Sequence, residues 1–146
     1  MSATFQSNNE IEVVGDWWIE QLKRKALNSA DKRARLLLHW SPDEPVTEMV
    51  IALHKFSDIR PHRHPQHKSE SYHVIEGTLG VSIFEDDGRQ HMFLKLDERK
   101  PLYRMRGGWF HQPIALTEWV LYHEVYTGPF VKDHDVEYAD WDRRAA

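Results

Sequence analysis

Residues 60–77 read RPHRHPQHKSESYHVIEG, and this stretch sets the reading of the whole chain. His62 and His64 stand two apart, so on an extended strand both rings face the same side. Glu70 opens a second alternating run, in which Glu70, Tyr72 and Val74 share one face and Ser71, His73 and Ile75 the other. If the two runs pair across the turn between them, two imidazoles and a carboxylate converge. That donor set suits iron, manganese, nickel, cobalt or zinc. A further donor comes from GGWFHQP at 107–113, where a Gly-Gly turn delivers His111 onto the next strand. His67, in the loop between His64 and Glu70, is the replacement should either fail to reach. A His-x-His pair alone is often two solvated rings. Glu70, Gly77 and a turn-borne His111 together make one divalent metal, held by His62, His64, Glu70 and His111, the stronger reading. His39, His54, His73, His91, His123 and His134 read as surface or hydrogen-bonded structural residues.

Outward from this stretch the chain is a series of short apolar or alternating runs, among them TEMVIALHKF, TLGVSIFED, RQHMFLKL and TEWVLYHEVY. Turn signals separate them: Ser41-Pro42-Asp43, Asp87-Gly88, Gly107-Gly108 and Gly128-Pro129. Many short strands at near-regular spacing predict an all-β sandwich or barrel. Asp87-Gly88 predicts a hairpin, because both residues tolerate positive φ. Ahead of the strands, Asp16 reads as a helix N-cap, with Trp17, Trp18, Leu22 and Leu27 as a rough apolar stripe ending at Asn28-Ser29. The basic segments LKRKAL and KRAR read as a helix face. Residues 1–14 read as a loose segment, 15–146 as one domain with a helix at about 16–28. Residues 131–146 read as a C-terminal strap on the outside.

Composition narrows the function. The chain has 146 residues, 40% of them hydrophobic, with six Trp, five Tyr and six Phe. That is enough to bury a core without disulfides or a structural metal. With no cysteine, thiolate zinc sites and cysteine nucleophiles are excluded. A formal charge of −4 argues against general nucleic-acid binding. No apolar run is long enough to span a membrane, and the first residues lack the basic and apolar regions of a signal peptide. The cytoplasm is the expected location. GTLGV lacks the Lys-Ser/Thr of a phosphate loop, and no Gly-x-Ser-x-Gly elbow appears.

The spacing His62-x-His64-x5-Glu70-x6-Gly77 resembles the first cupin motif, and Gly107-Gly108-Trp109-Phe110-His111 resembles a reduced second one. The His64–Glu70 loop is about a residue longer than the commonest spacing, and the Pro-x-Gly before the second-motif histidine is missing. LLLHWSPDEPVTEMVIAL followed by IRPHRHPQHKSESYHVIEGTLGVSIFEDDG is similar to the WbuC family of cupin-fold metalloproteins, as are EVYTGPF and the ADW of the tail. The resemblance implies a cupin fold, a double-stranded β-helix or jelly-roll barrel with an N-terminal helix, holding a metal. It fixes the reaction far less well.

Three residues two positions from a ligand are candidates for the pocket. Arg60 would meet a substrate carboxylate or phosphate, the bland alternative being a salt bridge at the barrel mouth. Tyr72 would orient substrate or act as acid or base, against a core role. Trp109 would wall the pocket, against merely sealing the barrel end. The leading expectation is a metal-dependent cupin enzyme on a small anionic or sugar-derived metabolite. Isomerase, epimerase, lyase and oxygenase chemistry all stay open. The alternative is a non-catalytic, metal-anchored module that binds a sugar or small molecule. Trp17, Trp18 and Trp119, read as exposed, suggest a homodimer.

Overall fold

The structure is a computed structural model that describes residues 3–142. Its strands are β1 (Ala3–Gln6), β2 (Arg33–Leu37), β3 (Val46–His54), β4 (His62–Arg63), β5 (Ser69–Glu76), β6 (Leu79–Phe84), β7 (Gln90–Leu96), β8 (Leu102–Arg106), β9 (Phe110–Ala115), β10 (Trp119–Thr127) and β11 (Glu137–Tyr138). One helix, α1 (Asp16–Leu27), precedes β2. The strands form a six-stranded sheet, β1-β2-β3-β10-β5-β8, and a five-stranded sheet, β11-β4-β9-β6-β7. This is the jelly-roll arrangement of a cupin barrel. No helix among the described residues is long and apolar enough to cross a membrane.

The near-continuous apolar character of β3 follows from burial on both faces. Ile51 and Leu53 point into the barrel, packing with Tyr72, Val74, Val81, Val120 and Tyr122. Val50 and Ala52 point outward beneath α1, with Leu22, Ala26, Ala34, Leu36 and Leu121. Asp87-Gly88 does turn β6 into β7: the strands pair antiparallel, and Gly88 takes φ +91 with its Cα face against the Trp141 ring.

Four local expectations are corrected. Residues 3–6 are not loose; they form β1, parallel to β2. Phe5 meets Trp18 edge-on at 5.4 Å, which gives that segment an apolar anchor. Asp16 is the first helical residue rather than the cap. Gly15 occupies the cap position with no side-chain bond, and the Asp16 carboxylate sits in the first turn, where the helix dipole favours it. The buried stripe of α1 runs through Trp18, Leu22 and Ala26, while Trp17 and Leu27 stand 65% and 48% exposed. Trp18 and Trp119 pack around the cluster under the helix, so of the three tryptophans Trp17 alone is open to solvent. After β10, residues 131–142 run along the five-stranded sheet. There β11 pairs with β4, and Trp141 stacks on Phe84 at 4.9 Å. Residues 143–146 of the expected strap lie outside the described residues.

Candidate metal centre

β4 and β9 pair with His62 directly opposite His111. Contrary to the expectation from sequence, β5 does not pair with β4; it belongs to the other sheet, between β10 and β8. The loop after His64 carries the chain from one sheet to the other, so Glu70 meets the histidines across the barrel. The donor nitrogens of His62, His64 and His111 lie within 4.8 Å of one another, and His111 is fully buried. Glu70, 3% exposed, brings Oε2 to 3.0 Å from His64 Nε2 and Oε1 to 2.9 Å from His111 Nε2. Despite those distances, His64 Nε2, His111 Nε2 and Glu70 Oε1 are buried without a hydrogen-bond partner. Three imidazole nitrogens and a carboxylate that converge this closely are a donor set that fits a divalent cation.

The backbone fixes each ring. His62 Nδ1 donates to the Arg60 carbonyl at 2.8 Å, His64 Nδ1 to Asp135 at 2.7 Å, and His111 Nδ1 to Trp109 at 3.0 Å. With Nδ1–H donated, each ring turns its Nε2 toward the cluster, the arrangement that orients a metal ligand. The Gly-Gly turn explains how His111 arrives there. Gly107 N bonds Lys68 O and Gly108 N bonds His64 O, and a Cβ at Gly107 would overlap the Pro65 carbonyl. Asp135 is itself held at its carboxylate by Lys68 Nζ at 2.6 Å and the Tyr126 hydroxyl at 3.0 Å.

Burial, with the neighbouring His111 and His64, pushes His62 down to about 3 and keeps it neutral. Burial also opposes charge on His64, but the Glu70 carboxylate outweighs it and raises His64 to about 9. Burial likewise works against the Glu70 charge, yet His111 and His64 hold that carboxyl well below its usual range.

A cavity of about 480 Å³ opens from this cluster along the inner face of the six-stranded sheet. That volume suits a small metabolite. Arg60 and Tyr72 both line it. Arg60 stacks over the Tyr138 ring at 4.0 Å. Tyr72 is 1% exposed, packs on Tyr103 and Tyr122, and is pushed well above its usual range by burial and by Glu70. Trp109 does not line the cavity. It lies in the turn before β9, where strand alternation does not apply, and its ring stacks on His91 at 4.6 Å. His67 is exposed and stands outside the cluster.

Three cavity residues went unread in the sequence. Arg33 and Arg35 belong to β2 rather than to a helix face, and they line the cavity because Ala34 and Leu36 alternate beneath α1. Glu124 lines it from β10, between Tyr122 and Tyr126 on the inward face. Burial, then the Glu70 charge, raises Glu124 to about 8. An acid flanked at i±2 by aromatic residues on a core strand was the available signal.

Two sheets closed around a histidine cluster that could hold a metal form a cupin fold. More narrowly, a family model described as a domain of unknown function, DUF6016, matches residues 15–96, and the chain belongs to that family. A search of curated proteins finds no match. Among solved structures the chain is similar to Cellulomonas parahominis L-ribose isomerase with L-psicose, at TM-score 0.59 and 16% identity over 74% of this chain and 69% of that one. It is also similar to Lactobacillus farciminis oxalate decarboxylase in its formate complex, at TM-score 0.53 and 12% identity over 65% and 27%. Brassica napus procruciferin, an 11S globulin, matches at TM-score 0.52 and 13% identity over 64% and 23%. These likenesses establish the fold.

Proposed function

We propose that the protein is a metal-dependent cupin enzyme acting on a small anionic or sugar-derived metabolite, with His62, His64, His111 and Glu70 as the ligands of one divalent transition metal. The carrying observation is the convergence of three carbonyl-anchored imidazoles and a buried carboxylate at one end of a metabolite-sized cavity. When bound, such a metal polarises a substrate oxygen or supports oxygen chemistry on a chelating substrate. Two structural neighbours, the L-ribose isomerase with L-psicose and the oxalate decarboxylase with formate, hold a sugar and a carboxylate, which supports a substrate of that kind.

The chain's own groups supply binding and proton transfer. Glu124, raised to about 8, holds its proton at neutral pH and titrates close enough to it to exchange that proton with substrate. Tyr72 stays protonated and orients substrate through its hydroxyl. Arg60 lies near the metal end, where it can accept an anionic group. The motif likeness to the WbuC family supports the metal reading. We place the protein in the cytoplasm as a homodimer, with Trp17 on the contact face.

Elemental analysis of protein purified without nickel affinity tests the metal. One equivalent in the wild type and none in His111→Ala is the expected result. Turnover across sugars, sugar acids and sugar phosphates then tests the enzyme. Metal and ligand binding with no turnover would make the protein a binding module instead.

A further inference from the structure

Arg33 and Arg35 stand two apart on β2 and line the cavity together. Each has its Nε buried without a hydrogen-bond partner. Arg33 reaches Asp31 at a long 3.5 Å, and Arg35 forms no ion pair with a described residue. Two guanidiniums held side by side repel, and burial adds to the cost of their charge. Burial and the Arg33 charge disfavour the charged form of Arg35, while Glu124 across the cavity favours it without forming an ion pair. A forked pair of donors with unspent hydrogen-bonding capacity, aimed into an otherwise sheltered cavity, is a receptor for an oxyanion.

We propose that Arg33 and Arg35 form an anion subsite that takes the carboxylate or phosphate of the substrate, while the substrate's oxygen-bearing end meets the histidine cluster. The substrate class is therefore a bifunctional acid, with a metal-binding oxygen function at one end and an oxyanion at the other. The role of the metal-binding end rests on the metal reading above; the anion subsite itself does not.

The experiment titrates inorganic phosphate, and in parallel acetate, into the metal-free full chain by calorimetry. Wild type should bind at least one of the two. Affinity should fall roughly 10- to 100-fold in Arg35→Gln and in Arg33→Gln, the loss expected for one charge-assisted contact. Arg35→Lys should recover only part, because the fork is lost while the charge stays. Arg99→Gln, an exposed turn residue, should bind as wild type does. The preferred anion assigns a phosphorylated or a carboxylate substrate. No binding by wild type, or equal binding by wild type, Arg33→Gln and Arg35→Gln, overturns the subsite. If Arg35→Gln does not fold, Arg33→Gln and Arg35→Lys decide the matter. Metal analysis of the same samples separates the two ideas. Arginine-dependent anion binding without metal uptake removes the metal reading and leaves the subsite standing. Metal uptake without anion binding does the reverse.

Discussion

Two pairs of side chains, each spaced two residues apart, face one cavity from opposite sheets: His62 and His64 at β4, Arg33 and Arg35 on β2. The histidines are anchored by backbone carbonyls, with a third imidazole and a carboxylate closing on them. Both arginines keep a buried Nε without a partner; Arg33 reaches the Asp31 carboxylate at 3.5 Å, and the Glu124 carboxyl faces the pair from β10. The same spacing thus appears in two settings. The pair proposed to hold an ion is held rigid by the protein's own backbone. The pair proposed to meet a substrate anion is left with its Nε donors unspent.

The largest effect that could break this contrast is on metal content. His111→Ala and Glu70→Gln should each weaken metal binding by at least about 100-fold, since even outer partners of ligands cost 10- to 100-fold. Arg35→Gln should load metal fully. Equal loading of all three, measured by elemental analysis, would erase the distinction between the two ends.

The anchoring of His64 can be probed next. Asp135→Ala leaves the Lys68 ammonium buried and unpaired, which should destabilise the fold by about 3–5 kcal/mol in urea unfolding. Replacing Lys68 with Met in the same chain should restore much of that loss. If Asp135→Ala unfolds like the wild type, the strap does not hold His64 through this pair.

Acid–base behaviour sharpens the comparison further. His64 is raised to about 9 by Glu70, so its contribution to the metal-free fold is complete below its ordinary 6.5 and lost as pH climbs through 9. Glu124 is raised to about 8, so from its ordinary 4.5 up to 8 the unfolded chain has shed a proton that the folded one keeps. Stability falls across that interval. Melting of the metal-free protein should therefore drop steadily from pH 6.5 to 9, and Glu124→Gln should flatten the part below 8. Metal uptake at pH 7.5 should release close to one proton, displaced from His64, in calorimetry run in buffers of different ionisation enthalpy. A melting temperature that rises over this range would contradict both assignments.

The smallest effect concerns Trp109. Trp109→Ala should lower stability through lost packing against His91 and the barrel core, yet leave anion affinity unchanged in the phosphate titration. A change in anion affinity would return this ring to the cavity.

The contrast between the two pairs also explains what could be read from residue order. His62, His64, Glu70 and His111 were legible because a glutamate, a glycine and a turn-borne histidine reinforced one another at fixed spacings. The Asp87-Gly88 hairpin was legible for a similar reason: its turn chemistry is local. Arg33 and Arg35 were not, because KRAR beside a helix reads as a solvated face. Only the docking of α1 on Ala34 and Leu36 turns its arginines inward. Pairing of Ala3–Gln6 with β2 depends on contacts about thirty residues away, which leave no local trace. Glu70 does meet the histidines, but across the barrel rather than along one sheet.

The carbonyl that orients His64 belongs to Asp135, 71 positions further along the chain. During synthesis, then, His62, Glu70 and His111 emerge and can fold around one another well before His64 acquires its fixed tautomer. A chain that ended after β10 would carry all four candidate donors, yet its His64 ring would lack the carbonyl that fixes it.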